Sequence, residues 1–367
     1  MQKPIDLLHG LIRIYSPSTQ ERAASEYFVA QMSALGFRAF VDEAGNAVGI
    51  LGDDTASRRL ESAPPSRSVR DDASQGKRDI LMLGHIDTFH GYIEPRIQDG
   101  KLYGRGAVDA KGCLATFASA AARVGARDGI RFVVIGAVEE ECATSKGARF
   151  ALTQYKPDVC IIGEPSGWDR ITLGYKGRVL VDYEIEKAMT HTASNTRAAA
   201  EEAVAFWNRV AAFAADYNAD KPKVFDQLDP SLRALNSSDN GFADRAAMRI
   251  GVRVPVGLTI TQVEQEIAQY ASGARIEFSS KEEPFRADKN NALVRAFLGA
   301  IRDVGGKPAF TVKTGTSDMN IVGPAWGCPI VAYGPGDSSL DHTPNEHLDL
   351  EELERAVDVL ARVLATL

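Results

Sequence analysis

The sequence predicts an α/β fold: a mixed sheet flanked by helices, with a small α+β domain of ferredoxin-like type inserted into it. Two observations carry this. Short, continuous apolar runs, the pattern of strands buried on both faces, alternate with amphipathic helical segments through the first half of the chain. After Gly177 the pattern changes to alternating strands separated by helices, and later the first pattern resumes.

In chain order the buried strands are NAVGIL (46–51), DILMLGHID (79–87), RFVVIGAV (131–138) and VCIIGE (159–164), with PIVAYGPG (329–336) much later. The helix KGCLATFASAAARV (111–124) lies among them. Residues 53–78 are polar, mixed in charge and almost without large apolar side chains, so a flexible insertion is expected there. In the inserted part, VLVDYEIEKA (179–188), AAMRIGVRVPV (246–256) and ARIEFSSKEEPF (274–285) are strands. TRAAAEEAVAFWNRVAAFAADY (196–217) and TITQVEQEIAQYA (259–271) are the helices between them. NALVRAFLGAIRDV (291–304) returns to the first domain, and LEELERAVDVLARVLATL (350–367) closes it with apolar positions at helical spacing. The expected division is therefore 1–176 with 288–367 as one discontinuous domain and 177–287 as the inserted one.

With 367 residues, 44% hydrophobic and 25% charged, the chain can bury two cores. A formal charge of −7 without a Lys/Arg run argues against nucleic acid or an anionic membrane as partner. No stretch approaches the ~20 apolar residues of a membrane span. MQKPIDLLHGLIRIYSPST has neither the apolar core nor the cleavage site of a signal peptide, and a cytoplasmic location is expected. Cys113, Cys142, Cys160 and Cys328 form no C-x-x-C pair and read as reduced packing residues.

The chemistry collects after strands. DILMLGHID ends in His85 and Asp87, with His90 in the turn beyond; GRGAVDAKG carries Asp109, GAVEEECATSKG carries Glu139, Glu140 and Glu141, IIGEPSG carries Glu164, and SLDHTPNEH carries His342. Open α/β sheets gather ligands at the carboxyl ends of their strands. Imidazole nitrogen and carboxylate oxygen without thiolate are the donors of a catalytic zinc site, and several carboxylates can serve two metals through one bridge. Any one of these residues alone is better read as a cap or a surface charge. Their ordered recurrence at strand ends favours a paired-metal hydrolytic centre.

The motifs H-x-D, G-R-G-x-x-D-x-K-G, a strand ending in E-E, G-E-P and H-T-P-N-E, in this order, resemble the di-zinc deacylase and exopeptidase family of acetylornithine deacetylase, succinyl-diaminopimelate desuccinylase, carboxypeptidase G and aminoacylase. The resemblance implies a metallopeptidase-type fold whose inserted domain is a lid through which members dimerise. It implies two Zn2+ ions, one held by His85, Asp109 and Glu164 and the other by Asp109, Glu140 and His342, with Asp109 bridging. Co2+ or Mn2+ suits the same donors. Asp87 would orient the His85 ring, since a ligating imidazole usually donates its other N–H to a second acceptor. Glu139 would be the general base. The E-E-E run leaves a one-residue ambiguity, in which Glu140 and Glu141 fill the base and ligand roles instead. His191, in KAMTHTAS, resembles the family histidine that stabilises the oxyanion across the dimer, and its competing reading is a surface histidine. Arg253 resembles the lid arginine that binds the substrate carboxylate, and Thr314, Gly315, Thr316, Ser317 and Asp318 the family's substrate loop. Lys176 and Arg178 are weaker candidates for hinge or pocket contacts, and His90 for a pocket wall.

Longer stretches, GEPSGWDRITLGYKGR, VEEECATSKGARF, SSDNGFADRAAMRIGVRVPVG and TGTSDMNIV, resemble a narrower branch. Its members release lysine or ornithine from the γ-carboxyl of the C-terminal glutamate of a small acidic amino-group carrier protein in lysine or arginine biosynthesis. Two other enzyme readings stay open: a deacetylase acting on free acetylornithine, acetyl-lysine or another small N-acyl amino acid, and a general di-zinc carboxypeptidase or dipeptidase. A catalytically dead binding protein is disfavoured because every proposed ligand and the base are present.

Overall fold

Apolar runs bounded by glycine and polar turns become strands, and the amphipathic segments between them become the helices that cover the sheet. The computed structural model describes residues 3–52, 77–191 and 195–367. The helices and strands are, in order, α1 (Pro4–Ile12), α2 (Arg22–Ala34), β1 (Arg38–Val41), β2 (Ala47–Gly52), β3 (Arg78–His85), β4 (Arg96–Gln98), β5 (Lys101–Tyr103), α3 (Lys111–Val124), β6 (Ile130–Ala137), α4 (Lys146–Gln154), β7 (Val159–Gly163) and β8 (Arg170–Tyr175). They continue with β9 (Gly177–Ala188), α5 (Ala199–Asn218), β10 (Asp229–Asp239), β11 (Ala243–Val254), α6 (Ile260–Ala268), β12 (Arg275–Glu282) and β13 (Phe285–Arg286). Last come α7 (Ala292–Asp303), β14 (Ala309–Lys313), α8 (Met319–Trp326), β15 (Ile330–Ala332), β16 (His347–Asp349) and α9 (Leu350–Thr366). Residues 53–76 of the expected insertion lie outside the described residues, while Arg78 already opens β3.

The chain divides into two compact units: Met1–Gly174 with Ala287–Thr311 and Ser317–Leu367, and Tyr175–Arg286 with Val312–Thr316. The junctions lie at 174/175 and 286/287, against 176/177 and 287/288 expected, and Val312–Thr316, expected in the first domain, groups with the second unit.

The first unit is built on a mixed sheet in the order β1-β2-β6-β3-β7-β15-β8. Its centre is parallel, with β3 between β6 and β7, while β1 and β2 add antiparallel strands at one side. The register sets His85 opposite Ala137 and Gly84 opposite Gly163. The chain therefore leaves the sheet at one level after His85, Ala137 and Gly163, which is what brings their following residues together. Glycine makes this end of the sheet accessible to α3. A Cβ on Gly163 would meet Gly84 Cα at 2.9 Å and Phe117 Cε2 at 2.9 Å. Phe28, Phe117, Phe132, Phe297 and Leu7 are fully buried around it, each burial contributing roughly 1.5–3 kcal/mol.

The second unit has the β-α-β-β-α-β order and an antiparallel sheet arranged β10-β11-β9-β12, the ferredoxin-like arrangement. Alternate residues of β9 are buried, so Val179, Val181 and Tyr183 face α5, where Tyr183 stacks on Phe206 at 4.4 Å. Among the described residues no helix is long and apolar enough to cross a membrane.

Candidate metal centre

His85 closes β3 and is almost wholly buried. Its Nδ1 lies 2.9 Å from the Asp87 carbonyl oxygen, which only accepts, so Nδ1 carries the hydrogen and Nε2 faces the centre. That Nε2 is 3.1 Å from Asp109 Oδ1. The other Asp109 oxygen is 3.1 Å from His342 Nε2, which in turn is 2.9 Å from Glu141 Oε1. One carboxylate thus spans two imidazoles, and ligand atoms of His85, Asp109 and Glu141 all lie within 4.8 Å of one another.

The electrostatics of these protein groups are those of a cation site. Burial would raise Asp109, but hydrogen bonds from His342 and His85 outweigh it and hold its carboxyl far below the ordinary range. Hydrogen bonds to Asp109 and Glu141 push His342 up to about 10. Burial disfavours a charged His85, yet its contacts with Asp109 and Asp87 and the charge of Glu140 raise it well above the ordinary value. Glu140 and Glu164 are raised by burial and then by neighbouring carboxylates, as is Glu141 despite its bond to His342. Burial and the Glu164 charge push the neighbouring Cys113 thiol up, so it offers no thiolate. Buried and half-buried carboxylates that repel one another around two imidazoles, with nitrogen and oxygen donors alone, fit divalent cations.

Of the two registers open to the E-E-E run, the structure sets Glu141 against His342 and turns Glu139 to Thr144. Glu139 adopts a left-handed backbone (φ 61°), a conformation that costs a non-glycine residue ~1–2 kcal/mol. Its carboxylate accepts from Thr144 Oγ1 at 2.5 Å and lies 3.8 Å from Lys146 Nζ. Glu141, rather than Glu140, meets His342, with its ligand oxygen within 4.8 Å of Asp109. Glu140 lies among His85, Glu164 and Asp318, whose charges act on it. The physical reason is the turn at Glu139, which directs its side chain to Thr144 and passes the inward positions to the next two residues.

Asp87 also differs in detail from the sequence expectation. The nearest acceptor for His85 Nδ1 is its backbone carbonyl, with the carboxylate oxygen at 3.5 Å. The carboxylate accepts instead from Glu140 N (3.1 Å), Glu141 N (3.0 Å) and Ser18 Oγ (2.7 Å). Asp87 therefore joins the β3 end to the glutamate loop.

Glu346, Arg105 and Phe89 stand beside the centre without having been candidates in the sequence. Glu346, fully buried, accepts from Val108 N (3.0 Å) and Asp109 N (3.2 Å) and pairs with Arg105 at 2.8 Å, which fixes the backbone of the bridging aspartate. Both belong to quoted motifs, G-R-G and T-P-N-E, and that was their only signal. Phe89 stacks face to face on His342 with centroids 4.2 Å apart, and His90 leans on Phe89 at the exposed side. Lys111 is spent on structure: its Nζ donates to Leu11 O and Ile14 O.

The remaining candidates lie in or beside the second unit. His191 is exposed after β9 and next to the undescribed residues 192–194. Arg253 on β11 donates from Nη1 to Thr316 Oγ1 at 3.2 Å. Burial and the charges of Arg178 and Arg233 hold its pKa below the ordinary arginine value. Arg178 pairs with Glu282, and Lys176 with Asp229. Thr314, Gly315 and Thr316 belong to the second unit, whereas Ser317 is in the first, where its Oγ accepts from Met319 N at the start of α8. Asp318 is buried at the same helix start.

Imidazole and carboxylate donors gathered beyond a mixed sheet suit a metal-dependent hydrolase, and the comparisons agree. The chain belongs to peptidase family M20/M25/M40, whose profile matches residues 81–366. It is 43% identical to the LysW-lysine hydrolase of Deinococcus radiodurans, covering 99% of this chain and 96% of that protein. It is 29% identical to the LysW-lysine/LysW-ornithine hydrolase of Saccharolobus solfataricus, covering 96% and 92%. The fold matches the M20 family metallo-carboxypeptidase Sso-CP2 from Sulfolobus solfataricus with a TM-score of 0.77 at 16% identity, over 100% and 99% of the two chains. It also matches the Bacillus subtilis protein YXEP, described as a dinuclear metal-binding peptidase, with a TM-score of 0.68 at 13% identity over 99% and 96%.

Proposed function

We propose that this chain hydrolyses the amide that joins lysine or ornithine to the C-terminal γ-glutamyl group of a small amino-group carrier protein. The observation that carries the chemistry is Asp109 between His85 and His342, with Glu141 on the second imidazole. The full-length likeness to LysW-lysine hydrolases supports the substrate.

In this reading His85, Asp109 and Glu164 would hold one divalent cation, Zn2+ in our proposal, and Asp109, Glu141 and His342 the other. A divalent pair there supplies Lewis acidity toward the scissile carbonyl and a nucleophile at neutral pH. Glu140 takes the proton of the attacking water and delivers it to the nitrogen of the leaving amino acid. Phe89 and Glu346 keep His342 and Asp109 in place during the exchange. By the family resemblance, Arg253 with Thr316 is assigned to the carboxylate of the released amino acid, Thr314, Gly315 and Ser317 to substrate binding, and His191 to the developing oxyanion. Dimerisation through the second unit is part of the proposal, supported by β10, an edge strand that is largely exposed.

The test is amino-acid release by zinc-loaded protein from a carrier bearing C-terminal γ-glutamyl-lysine or γ-glutamyl-ornithine, beside free acetyl-lysine, acetylornithine and simple dipeptides. The carrier conjugates are expected to be the preferred substrates. Preference for the free compounds would contradict the substrate assignment and leave a small-molecule deacylase or peptidase.

A further inference from the structure

The chain from β6 to α4 leaves the sheet with four consecutive amides, each taken by a side chain from elsewhere in the first unit. Val138 N donates to Asn46 Oδ1 (3.0 Å), Glu139 N to Glu21 Oε1 (3.1 Å), Glu140 N to Asp87 Oδ1 (3.1 Å) and Glu141 N to Asp87 Oδ2 (3.0 Å). Glu21 is only 5% exposed, and the same oxygen accepts from Thr19 N at 2.7 Å. Asn46 is fully buried and ties both ends of the loop, because its Nδ2 donates to Gly147 O (3.2 Å) as well as to Asp42 Oδ2 (2.9 Å). Gly147 leaves room for this tie: a Cβ there would stand 2.4 Å from Asn46 Oδ1 and 2.5 Å from Val138 N.

We propose that Glu21 and Asn46 are positioning residues that hold Val138 and Glu139 in the turn which presents Glu140 and Glu141, and not Glu139, to the metal centre. The proposal rests on the reading of Glu140 as base and Glu141 as ligand. Neither Glu21 nor Asn46 touches the cluster; both act through backbone amides. A left-handed glutamate persists only where its surroundings over-determine it. Three acceptors set the path on both sides of Glu139: Asn46 before it, Glu21 on its own amide and Asp87 after it. Without Glu21 the Glu139 amide has no acceptor, the turn relaxes toward ordinary backbone angles, and the two carboxylates that follow rotate away. What matters in Glu21 is the accepting oxygen and not its charge.

The test compares Glu21→Ala, Glu21→Gln and Gly147→Ala with wild type as the zinc-loaded full-length enzyme. Three readouts are taken: kcat and KM on carrier conjugate and on acetyl-lysine, metal affinity by chelator competition, and amide hydrogen exchange over residues 138–141. Glu21→Ala is expected to lower kcat about 10–100-fold with KM unchanged, since misplacing a catalytic group by a fraction of an ångström to an ångström has effects of this order. Exchange over Glu139–Glu141 should accelerate and metal affinity fall about tenfold or more, as for loss of a supporting hydrogen bond at a metal site. Glu21→Gln, whose amide oxygen accepts both amides, should return all three readouts to within about threefold, because a neutral acceptor makes comparable hydrogen bonds. Gly147→Ala, which strikes the loop through Asn46 and leaves Glu21 intact, should move the same readouts in the same direction. Wild-type kcat and exchange in folded Glu21→Ala or Gly147→Ala would overturn the proposal, and so would a Glu21→Gln as impaired as Glu21→Ala. The exchange and chelator measurements contain no substrate, so they stand if the substrate assignment fails.

Discussion

Replacing Asp87 with alanine removes one acceptor from three donors. Ser18 Oγ can turn to solvent, but Glu140 N and Glu141 N lose their partner at 3.1 and 3.0 Å, beside a side chain that is 0% exposed. A buried donor left without an acceptor costs ~1–3 kcal/mol. Two of them give about 2–6 kcal/mol, with the lower half expected because the loop is only partly buried. The backbone carbonyl that holds His85 Nδ1 survives the substitution, so the ring keeps its orientation and the damage falls on the glutamate loop. Urea unfolding of Asp87→Ala should therefore show a loss of about 2–4 kcal/mol, together with a kcat reduced ~100-fold or more. Asp87→Asn, with one accepting oxygen, should fall between. A stability within about 0.5 kcal/mol of wild type, the range of an ordinary surface substitution, would refute the role given to this carboxylate.

Three further outcomes follow from the same geometry. Glu141→Ala should lose about one metal equivalent by chelator titration while the His85 half of the centre retains its own, because Glu141 contacts His342 and Asp109 from one side. Metal affinity should rise with pH: Asp109 and Glu141 push His342 up to about 10, and His85 is raised as well, so at neutral pH a metal displaces protons and its apparent binding constant should grow about tenfold per pH unit for each proton released. Isothermal titration in buffers of different ionisation enthalpy measures that number, and a pH-independent constant would contradict it. Phe89→Ala should weaken metal binding about tenfold through loss of the ring stacked on His342, with unfolding little changed because Phe89 is only partly buried.

The chemistry was legible where it follows strands. His85 and Glu164 stand out because the parallel register brings the ends of β3 and β7 level and apolar runs mark those ends in any sequence, whereas Asp109 and His342 lie in loops and stand out only through their motifs. The glutamate register was not, because the backbone amides of this turn are held by Asn46, Glu21 and Asp87, all distant in sequence, and three identical side chains offer no local contrast. β10 escaped the reading for a different reason. Its residues are mostly exposed at a sheet edge, so DPSLRALNSSD lacks the apolar alternation that revealed β9 and β11. Val312–Thr316 was assigned to the wrong unit because grouping by contact is a tertiary property that sequence continuity hides. Phe89 looks like a turn residue until its ring is seen on His342.

The most direct test of the central claim measures lysine release from the γ-glutamyl-lysine carrier conjugate by wild type, Glu139→Gln and Glu140→Gln, with metal content determined on the same samples. The geometry predicts that all three bind two equivalents of metal, that Glu139→Gln keeps turnover within about tenfold, and that Glu140→Gln loses about 100-fold or more, the usual contribution of a general base. Undiminished turnover in Glu140→Gln, or the larger loss in Glu139→Gln, would contradict it.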